Sequence, residues 1–353
     1  MIRCRTCVMP NTRPDTPFVD GVCSACLSYA QRDNLDWSSR RVALEQLLDR
    51  HNGRVLVPSS GGKDSTYQVL TLLEMGADVT AVTARTCHLT PIGRANIDNL
   101  ARYCRTIEVV PNMTIRAKLN RLGLEMVGDI SWPEHASIFA APFRVAEDTG
   151  HTLMMYGECP QAEYGGPMGS ERALVMTRRW VSEFGGFLGL RADDFVGVAG
   201  ITKRDMADYM PPAGQLPEAH FLGQYIRWDS RRNAQEAMAA GMQTCHDEHG
   251  NVPPCCANWW AAENLDNAQT GLHDWFMWLK YGFGRGCQQI SVDVRAGVVT
   301  RGRALAWLEG REGPPPEVYA DVTMGEVLDR IGMPRARLIA LFDQFTDRAM
   351  HAR

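Results

Sequence analysis

Two short runs of residues carry chemistry that can be read directly from this sequence. The first is Ser59-Ser60-Gly61-Gly62-Lys63-Asp64-Ser65. Its two glycines let backbone amides come close to a ligand, Lys63 supplies a compact ammonium group, and Ser60 and Ser65 add hydroxyls. At the N-terminus of a helix such a loop is a nest for an anion, above all the pyrophosphate part of a nucleotide. It is not a Walker A loop, because Val57 stands where that pattern needs its first glycine and Asp64 where it needs Ser or Thr. It is not a Rossmann fingerprint either. The second run is Cys4-x2-Cys7, then 15 residues, then Cys23-x2-Cys26. Two such pairs on tight turns complete a tetrahedron of thiolates around Zn²⁺, with Zn–S near about 2.3 Å, and leave no open position for chemistry. The expected zinc is therefore structural, folding a segment too short to build its own core.

For the glycine loop to work, a strand must deliver it and a helix must follow it. Arg54 to Pro58 is a short apolar run, and Asp64 to Met75 has apolar residues at helical spacing before Gly76. Asp78 to Ala84 and Thr106 to Val110 read as further strands, with a helix between them at Pro91 to Tyr103. Helices are expected at Thr114 to Val127 and Glu134 to Asp148, then a strand at Thr152 to Tyr156. This alternation predicts an α/β fold with a Rossmann-like parallel sheet, whose ligands sit beyond the carboxyl ends of the strands, just after Val57, Val82 and Met155. After Gly157 the strand signal fades and aromatic, helix-compatible segments dominate. The expected organisation is a zinc-binding ribbon over 1–35, a nucleotide-binding α/β domain over 36–170, a mostly helical substrate-binding completion over 171–312, and a helical tail over 313–353 after Gly313-Pro314-Pro315-Pro316.

Composition narrows the classes. The 353 residues are 45% hydrophobic and 22% charged, which fits neither a disordered nor a fibrous chain. No apolar run is long enough for a membrane span, and Met1 to Asp15 holds cysteines and prolines where a secretory signal would be apolar, so a soluble, cytoplasmic protein with no membrane partner is expected. A net charge of -4 gives no general basic surface for nucleic acid. The 11 cysteines, an odd number, argue against disulfides in such a compartment. Only four of the 37 basic residues are lysine, namely Lys63, Lys118, Lys203 and Lys280. Cys245, His246, His249, Cys255 and Cys256 form a second metal-capable group of irregular spacing, or a loop of reduced cysteines.

In its strand-loop-helix setting, SGGKDS resembles the signature of the PP-loop (HUP-type) ATP pyrophosphatases. The resemblance narrows with the residues of 4–26, with PIGRANIDNL (91–100), YGECPQAEYGG (156–166), FLGQYIRWDS (221–230), LHDWFMWLKYGFGR (272–285) and LDRIGMPRARLIALFDQF (328–345). Together they look like the N-acetyl sugar amidotransferases, which build acetamidino sugars for surface polysaccharides. The resemblance implies that the acetamido oxygen of an N-acetylated sugar, free or nucleotide-linked, attacks the α-phosphorus of ATP. Pyrophosphate then leaves into Ser60 to Ser65, and ammonia from a separate glutaminase subunit displaces AMP. It further implies that Ser60, Gly61, Gly62, Lys63, Asp64, Ser65, Thr83 and Gly157 bind ATP, with Lys63 neutralising the departing pyrophosphate and Asp64 holding Mg²⁺ or the loop itself. Glu158 and Glu163 serve Mg²⁺, substrate hydroxyls or ammonia, or are structural carboxylates. His273, Lys280 and Arg285 meet ATP or a sugar-nucleotide diphosphate, or form a solvated face. Arg94, Asn96 and Tyr164 line the sugar pocket, unless Arg94 and Asn96 only solvate their helix. The alternatives are a PP-loop sulfur transferase acting on a tRNA base or small molecule, and a nucleotide-binding module without turnover.

Overall fold

A computed structural model of the chain describes residues 1–167, 169, 175–245 and 258–351. The chain opens with a minimal hairpin, β1 (Phe18–Val19) and β2 (Val22–Cys23). Asp20 and Gly21 turn it with φ of 47° and 76°, the left-handed pair that a two-residue hairpin needs. Helix α1 (Ser24–Ala30) follows, then α2 (Trp37–Arg50), whose first turn is capped by Asp36 accepting the Ser39 N–H.

The alternating segment comes next: β3 (Arg54–Pro58), α3 (Lys63–Glu74), β4 (Asp78–Ala84), α4 (Pro91–Leu100), β5 (Arg105–Val109), α5 (Met113–Val127), α6 (Trp132–Thr149) and β6 (Leu153–Tyr156). Beyond the short helices α7 (Pro160–Tyr164) and α8 (Arg178–Phe184) lies β7 (Glu218–Phe221). All five long strands pair in parallel in the order β5-β4-β3-β6-β7. Order reverses between β3 and β6, and in such a sheet that switch point opens a crevice at the strands' carboxyl ends. Val55 to Val57 of β3 form an unbroken apolar run because both faces are covered there. Val55 and Val57 join Leu44, Leu48 and Leu72 on the α2/α3 side, while Leu56 joins Val82, Phe139, Phe143 and Phe221 on the α6 side.

The fading strand signal after Gly157 is corrected by β7. Glu-Ala-His-Phe is too short and too polar to read as a strand, but Tyr225 and Glu218 satisfy the two His220 nitrogens at 2.6 and 2.8 Å and allow its burial. The remaining elements are α9 (Ser230–Ala239), packed on α3, then α10 (Thr270–Tyr281), α11 (Arg285–Arg295), α12 (Arg301–Leu308), β8 (Val318–Tyr319), β9 (Val322–Thr323), α13 (Met324–Ile331) and α14 (Arg335–Phe345). The last two dock on α5 and α10 through Leu124, Leu272, Phe276, Leu328 and Leu341. Among the described residues no helix is long and apolar enough to cross a membrane.

Candidate active site

β3 ends at Pro58, and the chain leaves the sheet with the Ser59 N–H donating to the Val82 carbonyl at 2.8 Å. Ser59 Oγ accepts the Gly61 N–H at 3.0 Å, curling the loop back on itself. Gly61 has φ +77°, and a Cβ there would lie 2.7 Å from the Asn96 carbonyl carbon, so only glycine lets the loop press onto α4. Gly62 caps α3, whose unpaired first amides face the crevice end of the sheet.

Lys63 is 3% exposed. Its Nζ pairs with the neighbouring Asp64 and with Glu263 Oε1 at 2.8 Å, and stands over the Trp260 ring at 5.4 Å. Burial opposes the charge, but the two carboxylates outweigh it and hold the ammonium well above the ordinary lysine range. Asp64 Oδ1 also accepts from Asn233 Nδ2 at 3.1 Å. Glu158, just past β6, is pushed up to about 7 by burial and by the charge of Asp64. Burial also raises Tyr164.

Lys63, Asp64, Glu158, Tyr164 and Glu263 line one cleft of about 480 Å³ together with Ser60, Gly62, Ser65, Asn96, Gly157, His273 and Arg285. Residues 262–267 form a further wall. They are tied to the β4–α4 connection by the Thr90 N–H on the Asp266 carbonyl at 3.2 Å and Thr86 Oγ1 on the same oxygen at 3.1 Å. Burial raises Asp266 in this wall to about 6.

Other sequence-expected groups lie elsewhere or are held by partners within the protein. Thr83 is buried and does not line the cleft; Val82 and Ala84 do, as strand alternation requires. Glu163 pairs with Arg32 of the N-terminal segment. Arg94 bridges Glu108 and Asp98, both at 2.7 Å, away from the lining. Lys280 Nζ donates to the Val127 carbonyl at 3.1 Å, and burial lowers its pKa. Asn96 lines the cleft, yet its amide is spent on the backbone of Gln243 at 2.7 and 3.0 Å. Arg285 is held by Asp274 at 2.9 Å; burial opposes its charge, and Asp274 keeps it above the usual range.

Sequence reasoning missed Glu263, Asp266, Asp129 and His135, and with the last two the cluster they form with His273. None of the four carries a motif: Glu263 meets Lys63, and Asp129 meets His273, across long stretches of chain. The count of scarce lysines singled out Lys63, but nothing in the spacing pointed to its partner 200 residues later.

The four N-terminal sulfurs all lie within 4.8 Å of one another, with Cys4–Cys26 at 3.9 Å and Cys7–Cys23 at 3.7 Å. A disulfide needs about 2.05 Å. A zinc tetrahedron with bonds of about 2.3 Å has edges of about 3.8 Å, so the thiolate set fits Zn²⁺. The Met9 and Cys23 N–H groups donate to sulfur at 3.4 and 3.3 Å, the charge relief that zinc-bound thiolates receive. Of the second cysteine-histidine group only Cys245 is among the described residues; His246, His249, Cys255 and Cys256 lie outside them.

Fold and cleft together define an α/β protein with a cleft at the switch point of a parallel sheet. Its residues 256–352, which carry Glu263, His273 and Arg285, match the family described as LPS biosynthesis protein WbpG-like, C-terminal domain. That match supports a sugar-modifying enzyme of polysaccharide biosynthesis. Comparison with curated proteins gives no match.

Proposed function

We propose that the chain is an ATP-dependent amidotransferase that converts the acetamido group of an N-acetylated, nucleotide-linked sugar into an acetamidino group. The observation that carries this reading is the glycine loop. It caps α3 at the switch point, with a buried ammonium, Lys63, and a near-neutral carboxyl, Glu158, in the same cleft. The match of 256–352 supports the sugar half of the proposal.

An amide oxygen is a poor leaving group until it is phosphorylated or adenylated. The carbonyl oxygen bonds to the α-phosphorus of ATP as the bond to the β-phosphate oxygen breaks. Pyrophosphate leaves into the amides of residues 61–65, where its oxygens replace Glu263 as the partner of Lys63. Asp64, beside the phosphate loop, is the carboxylate suited to Mg²⁺, which would neutralise phosphate charge through few protein ligands. Ammonia then adds to the imidate carbon, AMP departs with the former carbonyl oxygen, and one proton passes from nitrogen to Glu158. The glutaminase expected to supply ammonia is a separate subunit.

Purified protein supplied with ATP, ammonium and UDP- or CMP-linked acetamido sugars is expected to release AMP and pyrophosphate. Heavy oxygen placed in the acetamido carbonyl is expected to appear in AMP. Formation of ADP, or label retained in the sugar while AMP accumulates, overturns the reading.

A further inference from the structure

A second cluster in the cleft takes no part in the reaction above. Asp129 lies in the turn between α5 and α6, with a side chain 3% exposed. Its Oδ1 accepts the Ser131 N–H at 2.8 Å, and its own N–H donates to the Gly123 carbonyl at 3.2 Å. The carboxylate is thus fixed before any ligand arrives. His273, in the first turn of α10, sets Nδ1 at 2.7 Å from Oδ1, and His135, in the first turn of α6, sets Nδ1 between Oδ2 at 3.5 Å and the Gly186 carbonyl oxygen at 3.4 Å. Their rings meet edge to face at 5.2 Å, and the three candidate ligand atoms lie within 4.8 Å of one another.

A divalent ion held by imidazole nitrogen and carboxylate oxygen at about 2.1 Å sets neighbouring donors about 3.0 Å apart in an octahedron and about 3.4 Å in a tetrahedron. The two observed separations bracket that range. Orienting one histidine takes one carboxylate oxygen and one imidazole. Two imidazoles converging on one buried carboxylate are instead the donor set of a two-histidine, one-carboxylate metal site with open positions. Both histidines line the cleft, alongside Ser131, Glu134 and Thr270, so the open positions have room for a ligand oxygen.

We propose that Asp129, His135 and His273 bind a divalent transition-metal ion of the zinc class whose open positions face the cleft. This ion is distinct from the one fitted by the four cysteines, and it polarises an oxygen of the molecule bound at that wall. The proposal stands apart from the amidotransferase reading, since it concerns metal content and not the reaction.

The test is a metal count on the full chain, dialysed against Zn²⁺ and then against metal-free buffer. Two zinc ions per chain are expected in the unaltered protein and one in His273→Gln and in Asp129→Asn. The pair Cys255→Ser, Cys256→Ser is expected to keep both. Cobalt loaded at the second site is expected to absorb without a thiolate charge-transfer band, and to lose that absorption in His273→Gln. One ion per chain in the unaltered protein overturns the proposal. So does a second ion that survives His273→Gln or is lost with the two cysteines. If His273→Gln does not fold, the count and the cobalt spectrum of the unaltered protein still decide.

Discussion

Lys63 illustrates how a single residue is held ready for an anion. A buried ammonium without a partner costs several kcal/mol, and here Asp64 and Glu263 offset that cost in the absence of phosphate. In the proposed reaction Lys63→Met removes the charge that meets the departing pyrophosphate. AMP formation is expected to fall by about 10²–10³-fold, as when one oxyanion donor is removed, in a rapid-quench assay with saturating ATP. In the proposed reaction Glu158 sets the pH dependence. With a pKa near 7 it is protonated, and useless as a base, at lower pH, and it ionises as pH rises through that value. At fixed free ammonia, turnover is expected to climb between about pH 6 and 8. Glu158→Gln is expected to flatten that limb and leave a lower, pH-independent rate. A limb unchanged in Glu158→Gln would assign the proton to another group.

At the scale of elements, the loop and α3 depend on how closely they meet α4. Alanine at Gly61 must take φ +77° and overlap the backbone of Asn96 and Ile97 at 2.7 Å. Gly61→Ala is therefore expected to cost about 1–3 kcal/mol in urea unfolding and to weaken ATP binding in calorimetry more than it lowers stability. This glycine was legible in the sequence because its neighbours form a motif. β3 and β4 were legible as well, their apolar β-branched runs giving the observed bounds at Arg54–Pro58 and Asp78–Ala84. The start of α6 at Trp132 lies two residues before the expected Glu134, since Pro133 opens a helix as readily as it breaks one. β7 was hidden, because a polar strand becomes tolerable only once Tyr225 and Glu218 satisfy His220. Glu163 shows the converse. A carboxylate seven residues beyond the end of β6 reads as site chemistry, yet Arg32 arrives from the N-terminal segment and takes it. Periodicity encodes which face of an element is buried; it carries no record of which distant side chain lies opposite.

Over the whole molecule, the cysteine cluster and the cleft are joined by one continuous set of contacts. Cys4, Cys7, Cys23 and Cys26 share an apolar cluster with Phe283, Cys287, Ile290 and Leu308, and Arg301 donates to the Cys4 and Cys7 carbonyls, both at 3.0 Å. Helix α11 is thereby packed on the metal knuckle. From the same helix, Gln289 accepts the Trp259 and Trp260 N–H groups at 2.6 and 3.2 Å, and Asp293 accepts the Trp260 indole at 3.0 Å. Trp260 in turn faces Lys63. A structural zinc in such a segment contributes about 10–16 kcal/mol of binding free energy to folding, far more than this short polar hairpin can supply by burial. Removing the metal should therefore release α11 and, through it, the wall over Lys63, although no cysteine of the knuckle lines the cleft. Strong chelation, or Cys23→Ser, is expected to lower the melting temperature, shift tryptophan fluorescence, and abolish ATP binding in calorimetry. Restoring Zn²⁺ to the chelated chain is expected to recover all three. A chelated protein that keeps its affinity for ATP would show that the knuckle and the cleft are independent, and that the contacts along α11 carry no coupling between them.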